Sequence, residues 1–249
     1  GTDSLSTAEQ RSVAGVMSAM IAQQEHLVTL RATGKFVVMA PELDRRAMVM
    51  RQSQLFFQRP DRLHIHGRMY AKAVMDLVSD RGEYVLTLPG DQVYYQGATR
   101  ERISALALEA SPWELARELF FLEDWQKISK NDIVIVSEAE DGSSIELLLK
   151  PGKHSDLYRQ ITFEANPWRM VTSELHSNTG EIIAETTYSD FEDYDGVWIA
   201  RTAQTRFPGS GGIMEFHANS IQVNDEIEAA HFDVEQAVQD VVDKEYQRQ

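Results

Sequence analysis

One stretch of sequence, Leu55 Phe56 Phe57 Gln58 Arg59 Pro60 Asp61 Arg62 Leu63 His64 Ile65 His66, indicates the fold more clearly than any other. An apolar segment runs into Arg59–Pro60, and a second segment then leaves with strict alternation of apolar and polar residues. Proline has no N–H to give to a sheet, and it holds the preceding residue in an extended conformation, so Pro60 belongs at a strand end. The stretch therefore predicts two consecutive strands joined at a corner.

Arg59 has an unusual position in this pattern. Side chains alternate along a strand, so Leu55, Phe57 and Arg59 share one face. An apolar face that ends in a guanidinium makes Arg59 a candidate functional residue. The alternative is that Arg59 forms an ordinary surface ion pair near a strand end.

The composition is that of an acidic chain without cysteine. Its 249 residues are 43% hydrophobic, which is enough for a core, and 24 Lys+Arg against 39 Asp+Glu give a net charge of -15. This balance argues against nucleic acid or an anionic membrane surface as the main partner. The absence of cysteine excludes disulfides, thiolate metal sites and a cysteine nucleophile.

The sequence contains no stretch that predicts a membrane-spanning helix. The longest uncharged run, Ser12 to Gln24, is 13 residues and falls short of the ~20 apolar residues that a spanning helix needs. Gly1 in place of methionine is typical of a processed chain, so we expect that an export segment has been removed.

Three segments have helix-start residues followed by an apolar stripe. The first helix is predicted over about Thr7 to Gln24, the second is an inserted helix from Pro112 to Leu122, and the third covers about residues 234–246. The stripe of the inserted helix includes Leu115, Leu119 and Phe120, and that of the last helix consists of Val234, Ala237, Val238, Val241 and Val242.

The remaining segments have the alternation and turn residues of strands. We predict about six strands between His26 and Gln96 and about seven between Asp132 and Val223. The fold class is therefore mainly β (α+β) and a single domain over residues 1–249. It should be a single strongly curved antiparallel sheet or an incomplete, half-open β-barrel of about 11–13 strands, with the N-terminal and inserted helices covering the open face.

The order of these motifs resembles that of the LolA/LolB-like outer-membrane lipoprotein carriers and receptors. The match begins with the apolar strand, the Arg-Pro break and the alternating strand of residues 55–65, and continues with Met75 to Val85. The helix at Pro112 to Leu122, Asp195 Gly196 Val197 Trp198 and the closing residues 221–234 also fit. The resemblance covers about Ser6 to Val234.

This resemblance implies a half-open barrel with helices as a lid and an apolar interior that shields acyl chains. It places Leu55, Phe57, Leu63 and Ile65 on the cavity wall, and it makes Arg59 a latch that contacts the lid. The lid helix would present Leu115, Leu119 and Phe120. From the residues alone, a hollow barrel and a solid, side-chain-filled core are both open, because small barrels adopt both forms.

Metal and catalytic sites are not expected. His64 and His66 point to one face of a strand and could ligate a metal, but the sequence shows no obvious third ligand nearby, so we expect solvent-facing histidines. No Gly-x-Ser-x-Gly motif or phosphate-binding glycine motif occurs. We therefore predict no cofactor and no enzyme activity.

The function expected from this pattern is the binding or carriage of a lipid or a lipoprotein acyl chain, by a monomer in the periplasm or at the outer membrane. A membrane-tethered scaffold with the same fold and a filled barrel is the alternative, and a membrane-protein partner is compatible with both.

Overall fold

The computed structural model describes residues 7–39, 47–99, 118–119, 124–150 and 157–249. Helix α1 covers Thr7–His26 and helix α2 covers Val234–Asp243. The strands are β1 Thr29–Met39, β2 Ala47–Gln58, β3 Arg62–Met69, β4 Lys72–Asp80, β5 Glu83–Leu88, β6 Val93–Ala98, β7 Ile133–Glu138, β8 Ser144–Leu149, β9 Tyr158–Glu164, β10 Arg169–His176, β11 Ile182–Tyr194, β12 Val197–Phe207, β13 Gly212–Val223 and β14 Gln247–Arg248.

All fourteen strands belong to one open sheet in the order β14-β6-β5-β4-β3-β2-β1-β13-β12-β11-β10-β9-β8-β7. Two antiparallel meanders, β1 to β6 and β7 to β13, are joined where β1 pairs with β13. The predicted mainly β fold, with a half-open barrel-like sheet and helices, is confirmed. The number of domains stays a prediction.

The Arg-Pro corner lies where the sequence predicts it. Strand β2 ends at Gln58, which pairs with Arg62 at the start of β3. Leu55, Phe57, Leu63 and Ile65 alternate with partly polar neighbours, and each is at most 2% exposed. These four side chains belong to the main hydrophobic core, and the sheet face that they share is called the inner face below.

Strands β1 and β13 approach very closely at Gly34. A Cβ added there would lie 2.2 Å from the backbone oxygen of His217, which no other residue type could tolerate without a backbone shift. The register between the two strands shifts at this glycine. The contact lets the two meanders bend into one curved sheet.

Helix α1 covers the inner face. Val13, Val16, Met17 and Met20 recur at helical spacing and are all buried in the main core. This arrangement is the one that the sequence predicts for the first helix. In the described part of the chain, neither helix is long and apolar enough to cross a lipid bilayer.

Helix α2 packs on the opposite, outer face of the sheet. Val234 and Val241 are buried there against Val78 and Val85 of β4 and β5. The helix ends at Asp243, earlier than predicted, because the chain reverses at Glu245 (φ 57°) and continues as β14, which pairs in parallel with β6. The prediction that Val242 belongs to the buried stripe is wrong, since Val242 is 52% exposed.

Only two residues of the predicted inserted helix, Glu118 and Leu119, are described, and both are helical and buried. The rest of that helix, including Leu115 and Phe120, lies outside the described residues.

Candidate functional site

A cavity of about 70 Å³ lies between α1 and the inner face of the sheet. Most of its lining is apolar, and two arginines contribute to it as well. The lining residues are Met20, Gln23, Gln24, Leu27, Leu30, Arg59, Leu119, Trp125, Arg169, Met170, Tyr188, Phe191, Val197, Trp198, Ile199 and Ala200. The cavity therefore combines apolar walls with a small number of cationic groups, as ligand sites in proteins commonly do.

Helix α1 is tied to the segment that follows the inserted helix through Gln24. The Gln24 side chain accepts a hydrogen bond from the backbone N–H of Trp125 (2.8 Å) and donates one to Asp124 Oδ1 (3.0 Å). The indole of Trp125 is 2% exposed and meets the ring of Phe163 edge-on at 5.8 Å. One helix side chain thus satisfies two polar groups at the edge of the cavity.

Arg59 lies at the same edge and contacts the end of α1. Its Nε donates a hydrogen bond to the carbonyl oxygen of Leu27 at 2.7 Å, and its guanidinium carbon is 6.0 Å from the ring centre of Phe57. Burial lowers the pKa of Arg59, and the negative charge of Asp124 partly offsets this. The contact joins a cation to a carbonyl just past a helix C-terminus, where positive charge is favourable.

A second arginine lies among aromatic rings on the sheet side. The guanidinium carbon of Arg169 is 5.1 Å from the ring centre of Phe191 and 5.5 Å from that of Trp198. Its Nε is buried and has no hydrogen-bond partner among the described residues. Cation–π contact of this kind stabilises a guanidinium while leaving N–H donors for another acceptor.

Glu118 enters the interior of the sheet as part of a buried polar network. Its Oε1 accepts from Arg159 Nη2 at 2.7 Å and its Oε2 accepts from the Thr186 hydroxyl at 2.6 Å. Tyr188 donates to the backbone oxygen of Glu118 at 2.6 Å, and Arg159 Nη1 donates to Ser173 at 2.6 Å. Strands β9, β10 and β11 therefore all contribute to the network that holds Glu118.

The network is well shielded from solvent. The side chains of Arg159 and Glu118 are 4% and 2% exposed. A buried ion pair is stabilising only while both charges and their hydrogen bonds are satisfied, because the desolvation cost is large. Moving the segment away from the sheet would separate these charges, so the network opposes such a movement.

The predicted site residues divide into two groups. Arg59 and Leu119 line the cavity. Leu55, Phe57, Leu63 and Ile65 are buried in the core beside it and are not among the lining residues. Their role in contacting a ligand stays a prediction, as does the role of Arg59 as a latch.

Glu118 and Arg159 were not found by sequence reasoning. A glutamate beside an apolar helix stripe, paired with a strand arginine 41 residues later, has no short-range signature. The only usable indication was that Glu118 directly precedes Leu119 in the predicted stripe.

His64 and His66 lie on the outer face, away from this cavity. The expectation that both face solvent is wrong for His64, whose side chain is 15% exposed. Asp76 of β4 lies beside both rings. Desolvation raises the pKa of Asp76, but the hydrogen bonds from His64 and His66 outweigh it and lower the pKa to about 2.

Comparisons with known proteins give structural matches, which identify the fold. No protein-family model and no curated protein matches the chain. Among solved structures, a DUF1329 family protein from Desulfovibrio piger has a TM-score of 0.65 at 13% identity, with 90% of this chain and 98% of that chain covered.

Two further structures give similar values. A putative outer membrane lipoprotein-sorting protein domain from Vibrio parahaemolyticus has a TM-score of 0.60 at 12% identity, covering 91% of this chain and 98% of the other. A LolA superfamily protein from Nitrosomonas europaea has a TM-score of 0.57 at 9% identity, covering 89% and 99%. The chain therefore has a LolA-like fold.

Proposed function

We propose that the protein binds a lipid, or the acyl part of a lipoprotein, in the cavity between α1 and the sheet, without chemical conversion, in the periplasm or at the outer membrane. The observation that carries the proposal is the apolar cavity on the inner face, with Arg59 and Arg169 in its lining. The similarity in fold between this chain and a putative lipoprotein-sorting domain supports the same class of ligand.

The size of the cavity implies a closed state that opens to bind. A volume of about 70 Å³ accommodates a few methylene groups and not a whole acyl chain. Each methylene transferred from water to an apolar site is worth ~0.8 kcal/mol, so a long chain can offset the cost of displacing protein side chains from the interior. Leu119 lines the cavity and is one of these side chains, and a ligand that displaces it must disrupt the network of the neighbouring Glu118.

Arg169 favours an amphiphile with an anionic or carbonyl-bearing end. It lies in the wall of a largely apolar cavity, and its buried Nε has no partner among the described residues. A carboxylate or ester oxygen that accepts this hydrogen would satisfy the buried donor. The acyl tail would then extend toward Met20 and Leu119, into the space that Leu119 occupies in the closed state.

Filling the cavity tests the proposal. Ala200 lines it and is partly buried, so Ala200→Leu adds apolar volume without adding charge. We expect weaker binding of a fluorescent fatty-acid probe and less lipid in native mass spectra of protein purified from bacterial cells. Ala71→Leu makes the same side-chain change in an exposed turn and should bind the probe as the wild type does.

Absence of probe binding and of co-purified lipid in the wild type would overturn the proposal. Equal binding by the Ala200→Leu and wild-type proteins would place the ligand elsewhere. A scaffold with a filled interior is the second candidate, favoured by the small volume of the closed cavity. Purification with a protein partner and without lipid would support that candidate.

A further inference from the structure

Three metal-ligating side chains meet on the outer face, remote from the cavity between α1 and the sheet. His64 and His66 are two residues apart on β3, so they point to the same side of the sheet. Asp76 lies directly opposite His66 in the antiparallel register of β3 and β4. The tight β3–β4 hairpin therefore holds all three side chains on a rigid two-stranded platform.

The ligand atoms of these residues converge on one point. His64 Nε2 lies 2.9 Å and His66 Nδ1 lies 2.8 Å from the same oxygen, Asp76 Oδ1. All three atoms lie within 4.8 Å of one another. Two imidazoles aimed at a single carboxylate oxygen form a half-shell of donors.

A metal ion fits between these atoms with small side-chain rotations. Ligands about 2.1 Å from Zn²⁺ at a tetrahedral angle lie about 3.4 Å apart. The two observed N···O separations would each have to widen by about half an ångström. No backbone movement is needed, because the rotation of an imidazole about its side-chain torsions supplies that distance.

The surroundings of the cluster leave room for further ligands. A cavity of about 260 Å³ lies between the cluster and α2, and its lining includes Asp240 and Lys244 of the C-terminal segment. His231 also lines it, with its ring stacked on Phe56 at 4.0 Å. Water can therefore reach the open side of the three ligands, and His231 closes one flank.

We propose that His64, His66 and Asp76 form a binding site for a divalent transition-metal ion of the Zn²⁺ class, covered by the C-terminal segment. Two imidazole nitrogens and one carboxylate oxygen are a donor set that binds zinc and related ions, with the remaining positions open to water. His64 Nδ1 is buried without a partner among the described residues, so the polar contact described for this ring is made through Nε2. The site is independent of the proposed lipid-binding function, since it lies on the other face of the sheet.

Isothermal titration of chelator-treated protein with ZnCl₂ tests the proposal, and the absorption spectrum of the CoCl₂-loaded protein reports on the ligands. We expect one ion per chain. His66→Asn and Asp76→Asn should each weaken binding by more than about tenfold, since even outer-shell changes at metal sites have effects of that size. His217→Asn removes a histidine of β13 that contacts one carboxylate, Glu215 of the same strand, and it should bind as tightly as the wild type.

Circular dichroism of the metal-free variants shows whether they are folded. If Asp76→Asn does not fold, His66→Asn and the cobalt spectrum of the wild type still decide the question. The proposal is overturned if the wild type takes up no zinc, if it binds only several weak ions, or if His217→Asn weakens binding as much as His66→Asn does.

Discussion

Replacing Glu118 with glutamine tests whether the buried ion pair holds the inserted segment against the sheet. The substitution keeps the shape of the side chain and removes its charge. Arg159 then stays charged in an environment where its own side chain is only 4% exposed. Ser173 remains as a hydrogen-bond partner for Arg159 Nη1, and the ion pair between Nη2 and Glu118 is lost.

The expected cost follows from the burial of the pair. Removing one partner of a buried ion pair usually destabilises a protein by ~3–5 kcal/mol. A glutamine oxygen can still accept one hydrogen bond from Arg159, which reduces the loss, so we expect ~2–4 kcal/mol for Glu118→Gln. Undocking of the segment would expose Arg159 to water, and the free energy of that movement sets an upper limit on the cost.

Urea unfolding followed by circular dichroism measures the free energy of unfolding, and stopped-flow fluorescence measures how fast a fatty-acid probe enters. Glu118→Gln should be less stable and should admit the probe faster. Glu118→Leu combined with Arg159→Met should regain most of the stability, because an apolar pair has no buried charge.

The matched control is Glu146→Gln, which changes a partly exposed glutamate on β8. It should shift the free energy of unfolding by less than ~0.5 kcal/mol. The reasoning fails if Glu118→Gln behaves like this control in both assays, since the ion pair would then not hold the segment.

Two further predictions concern the edge of the same cavity. Arg59→Leu removes the hydrogen bond to Leu27 and makes the cavity mouth more apolar. Ligand release, measured by probe displacement, should therefore be slower in Arg59→Leu than in Arg59→Lys. Equal release rates would reduce Arg59 to a surface residue. Asp124 has a lowered pKa because Lys127 and Gln24 donate hydrogen bonds to it, so its stabilisation is present above its unfolded pKa of about 4 and is lost as the pH falls through its lower folded pKa. Asp124→Asn should therefore lose less free energy of unfolding than the wild type between about pH 6 and about pH 3 in urea titrations, and identical losses would contradict this assignment.

Short-range patterns were sufficient to predict most of the sheet. Pro60 marks the corner because the restriction on its neighbour acts locally. The Asp195–Gly196 turn was predictable because a two-residue hairpin needs positive φ at both positions, and this residue pair favours that conformation. Both residues have positive φ in the structure. Six strands precede the inserted segment and the seven strands β7 to β13 follow it, as predicted, and the short C-terminal strand β14 is additional.

Features that depend on distant pairing were not predictable. Asp76 is a metal-ligand candidate only because the β3–β4 register sets it opposite His66, and a shift by one residue would have sent its side chain to the other face. Glu118 and Arg159 are 41 residues apart in the sequence and meet only through tertiary packing. The parallel pairing of β14 with β6 likewise depends on where α2 docks, which no local pattern in residues 247–248 indicates.

The corner that indicates the fold also lies between the two candidate sites. Arg59 reaches the end of α1 through the Leu27 carbonyl. Arg62, three residues later, pairs with Asp80 at 2.9 Å and lies 5.9 Å from the ring centre of Phe232, which directly precedes the residue that caps α2. Because alternate residues of an extended chain project to opposite faces, a short turn can contact both layers. The two arginines of this corner therefore tie the inner helix and the outer C-terminal segment to the same point of the sheet, which accounts for the positive charges on either side of Pro60.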